Sequence, residues 1–174
     1  MSSDYPSFPE ESARADQAGH NATTEQPPSI KTAVMLMRVG AAISALGIIA
    51  TLIELGAIKD LVEEDLGTAG SFTQSQVDSV FQTIVVAAIV AGLIGIALWL
   101  WMASANGQGK KWARIVATIL AVINVLLFLY GVTAGTSPIL SLLVAVASVL
   151  VGIAAVVLIY RQDATQFYNA QSSG

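Results

Sequence analysis

Residues 99–114 read WLWMASANGQGKKWAR, and this stretch decides the fold. It holds all three tryptophans and three of the eight basic residues. Its middle, residues 104–109, is rich in Gly and Asn, a composition that indicates a turn. Long apolar runs without charge lie on either side of it. The stretch is therefore predicted to be the point at which two apolar helices turn back on each other.

The charge-free runs are long enough to cross a lipid bilayer. No charged residue occurs from Ser79 to Gly109, and none occurs in the 46 residues from Ile115 to Tyr160. A helix needs about 20 apolar residues to span the hydrocarbon core, so the second run suffices for two crossings. Because lipid offers no partner to the backbone, such runs are interpreted as helices. The chain is 55% apolar and 11% charged, whereas soluble domains are about 25% charged.

We therefore predict an all-α membrane protein, an antiparallel bundle of four transmembrane helices. The spans are placed at about 32–58, 77–102, 112–132 and 138–160, within a transmembrane domain of residues 31–162. Residues 1–30 are acidic and rich in Pro and Ser, and they bury too little apolar surface to fold, so we expect a disordered cytoplasmic tail. Residues 163–174 are expected to form a short cytoplasmic tail.

Local signals refine these boundaries. Residues 57–67 keep an apolar face at helical spacing, so the first span is predicted to continue outward as an amphipathic helix that stops at Gly67. Thr73 with Gln76, or Ser75 with Asp78, would cap the second span. Pro138 suits the first position of the fourth span.

The distribution of basic residues predicts the orientation. Four crossings place both termini on one side, and on that side the helix ends carry six Lys and Arg residues, against Lys59 alone on the other side. An excess of Lys and Arg marks the cytoplasm, so both termini are predicted to be cytoplasmic. The six residues are Lys31, Arg38, Lys110, Lys111, Arg114 and Arg161.

Each span carries a stripe of small residues at helical spacing. In the first span the stripe is Gly40, Ser44, Gly47 and Thr51 and ends at Glu54. Small residues let helix backbones approach closely in lipid, where no hydrophobic effect draws helices together. We expect these faces to mediate self-association or contact with a protein partner.

Three polar residues form a candidate intramembrane site. Glu54 is either a structural carboxylate near the outer end of its span or a group that handles protons or cations, since a carboxylate in a span is a functional candidate by default. Asn124 lies near mid-membrane and would bond a neighbouring helix or contact a substrate. Counting the rise along the helices places Tyr130 at the depth of Glu54, so a Tyr130–Glu54 hydrogen bond is a hypothesis.

The cytoplasmic turn combines cations with aromatic rings. Tryptophans suit the membrane–water boundary, and basic residues attract anionic headgroups there. We expect contact with anionic lipid, with the alternative that these charges only set topology. The residues concerned are Lys110, Lys111, Arg114, Trp99, Trp101 and Trp112.

Several function classes are disfavoured. The chain has no cysteine and one histidine, His20, in the polar tail, so we expect no catalytic residues, no metal and no cofactor. Membrane enzymes that act on lipids need clustered acids, bases or His at one interface, and we predict no enzyme. With a net charge of −4 and no basic block, nucleic acid is not an expected partner.

The turn follows the pattern Trp-x-Ala-x-x-Asn-Gly…Lys-x-Trp-Ala-Arg, and the last span ends with Tyr160-Arg161…Phe167-Tyr168. With the opening IKTAVMLMRVGAAISAL of residues 30–46 and the Pro-rich tail, the chain resembles small four-span integral membrane proteins of actinobacteria, a group to which no activity is assigned. The resemblance covers residues 27–168, with Arg38 as a departure from an expected neutral or aromatic residue. It implies this topology in a bacterial plasma membrane and supplies no functional residues.

Two functions are carried forward. The first is a structural or accessory subunit of a membrane complex, favoured by the small-residue stripes and the short loops. The alternative is a small oligomeric transporter that uses Glu54, since four spans with a Glu in the first resemble small multidrug exporters. The chain departs from them in the position of Glu54 near the end of its span, in the 30-residue tail and in the acidic outer loop.

Overall fold

The computed structural model of the chain describes residues 26–68, 70, 72–135 and 137–171. These residues form six helices: α1 Pro28–Ile53, α2 Leu55–Thr68, α3 Gln74–Gly107, α4 Lys111–Thr133, α5 Ile139–Ile159 and α6 Gln162–Ala170. Four of them, α1, α3, α4 and α5, are long and apolar enough to cross a membrane. The predicted all-α fold with four transmembrane helices is confirmed.

Hydrogen bonds and an ion pair define the two ends of an antiparallel bundle. At one end Gln26 Nε2 donates to the carbonyl of Gly107 at 2.7 Å, which joins the start of α1 to the end of α3. At the other end Lys59 of α2 pairs with Asp78 of α3 at 3.5 Å. Tyr168, near the other end of the described chain, bonds Asn106. Both ends of the described chain thus lie at the end that holds the α3–α4 turn, which we call the inner end.

Of the predicted disordered tail, residues 1–25 lie outside the described residues. Residues 28–30, which the prediction placed in that tail, instead form the first turn of α1. Ser29 and Ile30 are buried there. Pro28 occupies a first-turn position, where a missing N–H leaves no bond unmade.

Helix α1 is central and packs against both α3 and α5. Its contact with α3 depends on residues without a side chain: a Cβ on Gly40 would lie 2.5 Å from the Trp99 ring, and a Cβ on Gly92 would lie 2.5 Å from Ile48. In lipid such close approach replaces the hydrophobic drive as the source of helix association. The small-residue faces of α1 and α3 are therefore used within the chain. Helices α3 and α4 touch little along their length, although they are consecutive.

The fully buried apolar residues gather at the inner end. Helix α3 has 34 residues and is about 51 Å long at 1.5 Å per residue, so it extends beyond the hydrocarbon core of about 30 Å. Its inner end is covered by the start of α1, by α4 and by α6. The buried cluster comprises Ile30, Ala33, Met37, Met102, Ala103, Ala105, Ala113, Ala117, Ala155, Ile159, Ala164, Phe167 and Tyr168.

Two boundary predictions are confirmed and two are shifted. The amphipathic continuation of α1 exists as α2, with a break at Glu54, and the Thr73 N–H and hydroxyl donate to Gln76 Oε1 at 2.8 and 3.0 Å. Helix α2 ends at Thr68, one residue after the predicted stop. Pro138 lies at the N-cap of α5, one residue before the predicted position.

The C-terminal segment differs from the prediction of a short polar tail. It forms α6, which turns back onto the inner end and buries Ala164, Phe167 and Tyr168. The α3–α4 turn is shaped to receive it. Gly109 has φ +69°, and a Cβ there would meet the Phe167 ring at 2.9 Å, so glycine is required both by the backbone conformation and by the contact.

Candidate functional site

Glu54 binds the first turn of α5. Its Oε1 accepts the N–H of Leu140 at 2.7 Å, and its Oε2 accepts the N–H of Ser141 at 2.9 Å together with the Ser141 hydroxyl. The residue that ends α1 thereby holds the start of α5. Only 8% of Glu54 is exposed, so these bonds replace water at the carboxylate.

Helix α5 needs an acceptor from elsewhere in the chain. The first N–H groups of a helix have no partner within it, and Pro138 at the N-cap has no side-chain oxygen to offer. A carboxylate at this position also meets the positive end of the helix dipole. Of the two predicted roles for Glu54, this geometry supports the structural one.

Tyr130 does not take part in this arrangement. Its ring is 71% exposed, and both oxygens of Glu54 are bonded to Leu140 and Ser141. The structure thus replaces the hypothesised Tyr130–Glu54 hydrogen bond with bonds to α5.

Asn124 links two spans, as one of its predicted roles requires. Its Nδ2 donates to Ser148 Oγ at 3.2 Å, which joins α4 to α5. Its Oδ1 is buried and has no hydrogen-bond partner among the described residues. Asn124 and Ser148 lie at the boundary between two cavities, of about 400 Å³ toward the inner end and about 320 Å³ toward the outer end.

The inner end contains a polar pair that the sequence analysis missed. The Tyr168 hydroxyl donates to Asn106 Oδ1 at 2.7 Å. Asn106 Nδ2 in turn donates to the carbonyl of Met102 at 2.9 Å, and both residues of the pair are 0% exposed. Burial raises the pKa of Tyr168 to about 12, further above neutral pH than the usual value of about 10.

Arg114 belongs to the same cluster. Its guanidinium lies 4.4 Å from the centre of the Tyr160 ring and 5.0 Å from that of Tyr168, both within cation–π range. It also donates to Thr165 Oγ1 at 3.2 Å. Arg114 therefore fastens α6 to α4, which leaves it less free for a lipid than the prediction assumed.

The other predicted lipid contacts separate into two groups. Trp99 lies inside the bundle against Gly40 and lines the inner cavity. Trp101 and Trp112 are 52% and 42% exposed, with ring centres 5.4 Å apart. Lys110 and Lys111 are exposed beside them.

Two signals in the sequence point to the missed pair. Ala164, Phe167 and Tyr168 are spaced i, i+3, i+4, which is one face of a helix. Asn106 stands in the turn pattern and Tyr168 in the C-terminal pattern quoted above. The structure brings these two distant patterns into a single contact.

In the part of the chain that the structure describes, no group of three or more His, Asp or Glu side chains is placed to hold a metal ion. Comparison with protein-family models, with curated proteins and with solved structures finds no match to this chain. The site is therefore interpreted from its own geometry.

Replacing Glu54 with Gln should lower the thermal unfolding temperature in detergent. An amide offers one acceptor to donors that now meet two, and it lacks the charge that favours the helix N-terminus, so the loss should be about 1–3 kcal/mol. Glu64→Gln is the control, since Glu64 is an exposed acid on α2. Equal unfolding temperatures for the two variants would contradict the capping role.

Replacing Tyr168 with Phe should destabilise the inner end. The change leaves Asn106 Oδ1 buried without a donor, which costs about 1–3 kcal/mol, and α6 should become accessible to protease. Tyr130→Phe removes the same hydroxyl from a ring that is 71% exposed and should change little. If both variants unfolded at the wild-type temperature and α6 stayed protected from protease, the bond between Tyr168 and Asn106 would not contribute to stability.

Proposed function

We propose that this protein is a structural or accessory subunit of a membrane complex and not an enzyme. It acts by binding other membrane components through its surface. The observation that carries this proposal is the engagement of Glu54 by the first turn of α5, because Glu54 is the acid at the junction of α1 and α2 on which a chemical role would depend.

The other polar groups of the bundle support the same reading. Asn106 and Tyr168 bond each other, Arg114 lies between two tyrosine rings, and the amide nitrogen of Asn124 is bonded to Ser148. These contacts stabilise the fold, although Asn124 Oδ1 and Arg114 Nε are buried without a hydrogen-bond partner among the described residues. The exterior of the helices and the charged ends are available to other molecules, and such surfaces favour association.

The proposed partner surface is the exterior of the bundle, because the small-residue stripes of α1 and α3 already contact each other at Gly40 and Gly92. Outside the membrane the outstanding feature is helix α2, on which Asp60, Glu63 and Glu64 are exposed. Lys59 pairs with Glu63 and with Asp78. This acidic face suits a partner with a basic outer loop.

The alternative is a small oligomeric transporter that uses Glu54. The two cavities that meet at Asn124 and Ser148 favour it, since together they extend along the bundle. Transport through Glu54 requires a carboxylate that can exchange its partners. Loss of drug or ion flux in Glu54→Gln at unchanged stability would support the transporter, whereas lower stability with unchanged flux supports the subunit.

We further propose that the protein lies in a bacterial plasma membrane with both termini in the cytoplasm, on the basis of the Lys and Arg excess at the inner end. The chain has no cysteine, so single cysteines report position without background. On intact cells a membrane-impermeant maleimide should label Glu64→Cys and not Gln108→Cys. Labelling of Gln108→Cys before permeabilisation would contradict the proposed orientation and indicate the opposite one.

Extraction of the tagged protein from its own cells in mild detergent should yield one heavy complex with other chains in fixed stoichiometry. An Asp60→Asn/Glu64→Gln variant should release those chains if the acidic face of α2 binds them. An Arg38→Gln/Arg161→Gln variant, which changes two exposed charges at the inner end, is the matched control. A homo-oligomer without other chains would contradict the accessory role.

A further inference from the structure

A lateral cleft separates α3 from α4 and contains the inner cavity of about 400 Å³. Its walls are apolar and carry small residues, among them Ala91 and Gly95 on α3 and Ala117 and Ala121 on α4. Polar groups enter only at its deep end, where Ser44, Asn124 and Ser148 lie. The cleft therefore runs from the inner part of the bundle to about the middle of α4.

The size of the cavity matches one lipid chain. From Ala117 to Leu127 the lining spans ten residues of α4, about 15 Å at 1.5 Å per residue. That length is half of the hydrocarbon thickness of about 30 Å. A methylene group is about as large as a water molecule, whose share of the liquid is about 30 Å³, so the cavity holds roughly a dozen methylenes.

A partner helix fits the same space poorly. A helix about 10 Å across occupies roughly 80 Å³ for each ångström of its length, so 400 Å³ accommodates only about one turn. An extended acyl chain uses the length of the cleft, whereas a helix would have to spread α3 and α4 apart.

The inner mouth of the cleft carries aromatic rings and positive charge. By helical spacing Trp101 shares a face of α3 with Ile94, and Trp112 shares a face of α4 with Ile123; both isoleucines line the cavity. The paired rings of Trp101 and Trp112 therefore stand at the mouth. Lys110 and Lys111 are exposed in the adjoining turn, and such cations attract anionic headgroups.

We propose that this cleft binds an anionic phospholipid from the leaflet that contains the α3–α4 turn. One acyl chain lies between α3 and α4, and the phosphate lies at Lys110 and Lys111. The chain ends near Leu127, just beyond Asn124 and Ser148, which line the deep part of the site. This inference does not depend on the accessory-subunit function.

Trp99 supplies the test, since it lines the cavity and is the only tryptophan left in a Trp101→Phe/Trp112→Phe variant. That variant is placed in phosphatidylcholine vesicles with a small fraction of phosphatidylglycerol brominated on its acyl chain. Matched vesicles carry brominated phosphatidylcholine instead. Each lysine contributes about fivefold near the surface, so brominated phosphatidylglycerol should quench Trp99 at a roughly thirtyfold lower fraction.

Two pairs of variants in the same background separate charge from cavity. Lys110→Gln/Lys111→Gln should remove the preference for phosphatidylglycerol, whereas Arg38→Gln/Arg161→Gln removes the same charge elsewhere at the inner end and should keep it. Ala121→Phe fills the cavity and should reduce quenching by both lipids. Val122→Phe adds the same ring where the side chain is 53% exposed and should not.

Equal quenching by the two brominated lipids would overturn the headgroup assignment. Equal quenching in Ala121→Phe and Val122→Phe would show that no chain enters the cleft. If the wild type were a dimer, and Ala121→Phe dissociated it but left quenching unchanged, the cleft would be occupied by a second copy of the chain. The lipid proposal would then be wrong.

Discussion

The bonds between Glu54 and the first turn of α5 determine how the outer end of the bundle is closed. The N–H groups at a helix start need acceptors, and lipid provides none. Pro138 begins α5 without a side-chain acceptor, so the acceptors come from Glu54. Helix α1 ends at that same residue, and α2 continues beyond it in contact with α3. The residue at the end of one span thus caps another and holds the two together.

The two ends of the molecule are stabilised by different physics. Within the membrane, α1 and α3 are held together where the Trp99 ring lies on Gly40 and the Ile48 side chain lies on Gly92, because lipid surrounds apolar side chains as readily as protein does and close packing must supply the attraction. Helix α3 is longer than the hydrocarbon core is thick, so part of it extends into water, where burial is favourable. The buried apolar cluster lies at the inner end, and α6 covers it. Although the sequence of α6 is polar on average, one face of this helix is strongly apolar.

Features that depend on length and composition, such as the four spans, could be predicted from the sequence. Contacts that depend on which side of a helix a residue faces could not. Charge-free runs specified four spans, because the bilayer admits little else. The rise per residue gave an estimate of the depth of Tyr130 in the membrane. It gives no information about the side of the helix that Tyr130 faces, and Tyr130 is exposed on the outside of the bundle. Asn124 was placed correctly because a mid-membrane amide needs a neighbouring helix. Asn106 and Tyr168 escaped notice because 62 residues separate them, and only tertiary packing makes them a pair.

Most residues of the two recognisable sequence patterns make structural contacts within the chain. The turn pattern of residues 101–114 and the C-terminal pattern of residues 160–168 meet in one cluster, where Asn106 bonds Tyr168 and Arg114 packs on Tyr160. Such residues explain why α6 docks, and their chemistry is satisfied by docking. Residues that bind other molecules must offer unpaired polar or charged groups, or exposed surface. Among the described residues, such surface is offered by Lys110 and Lys111, by the cleft beneath them and by the acidic face of α2. Lys110 belongs to the turn pattern itself, so this one pattern supplies both the contacts that dock α6 and an exposed charge beside the cleft.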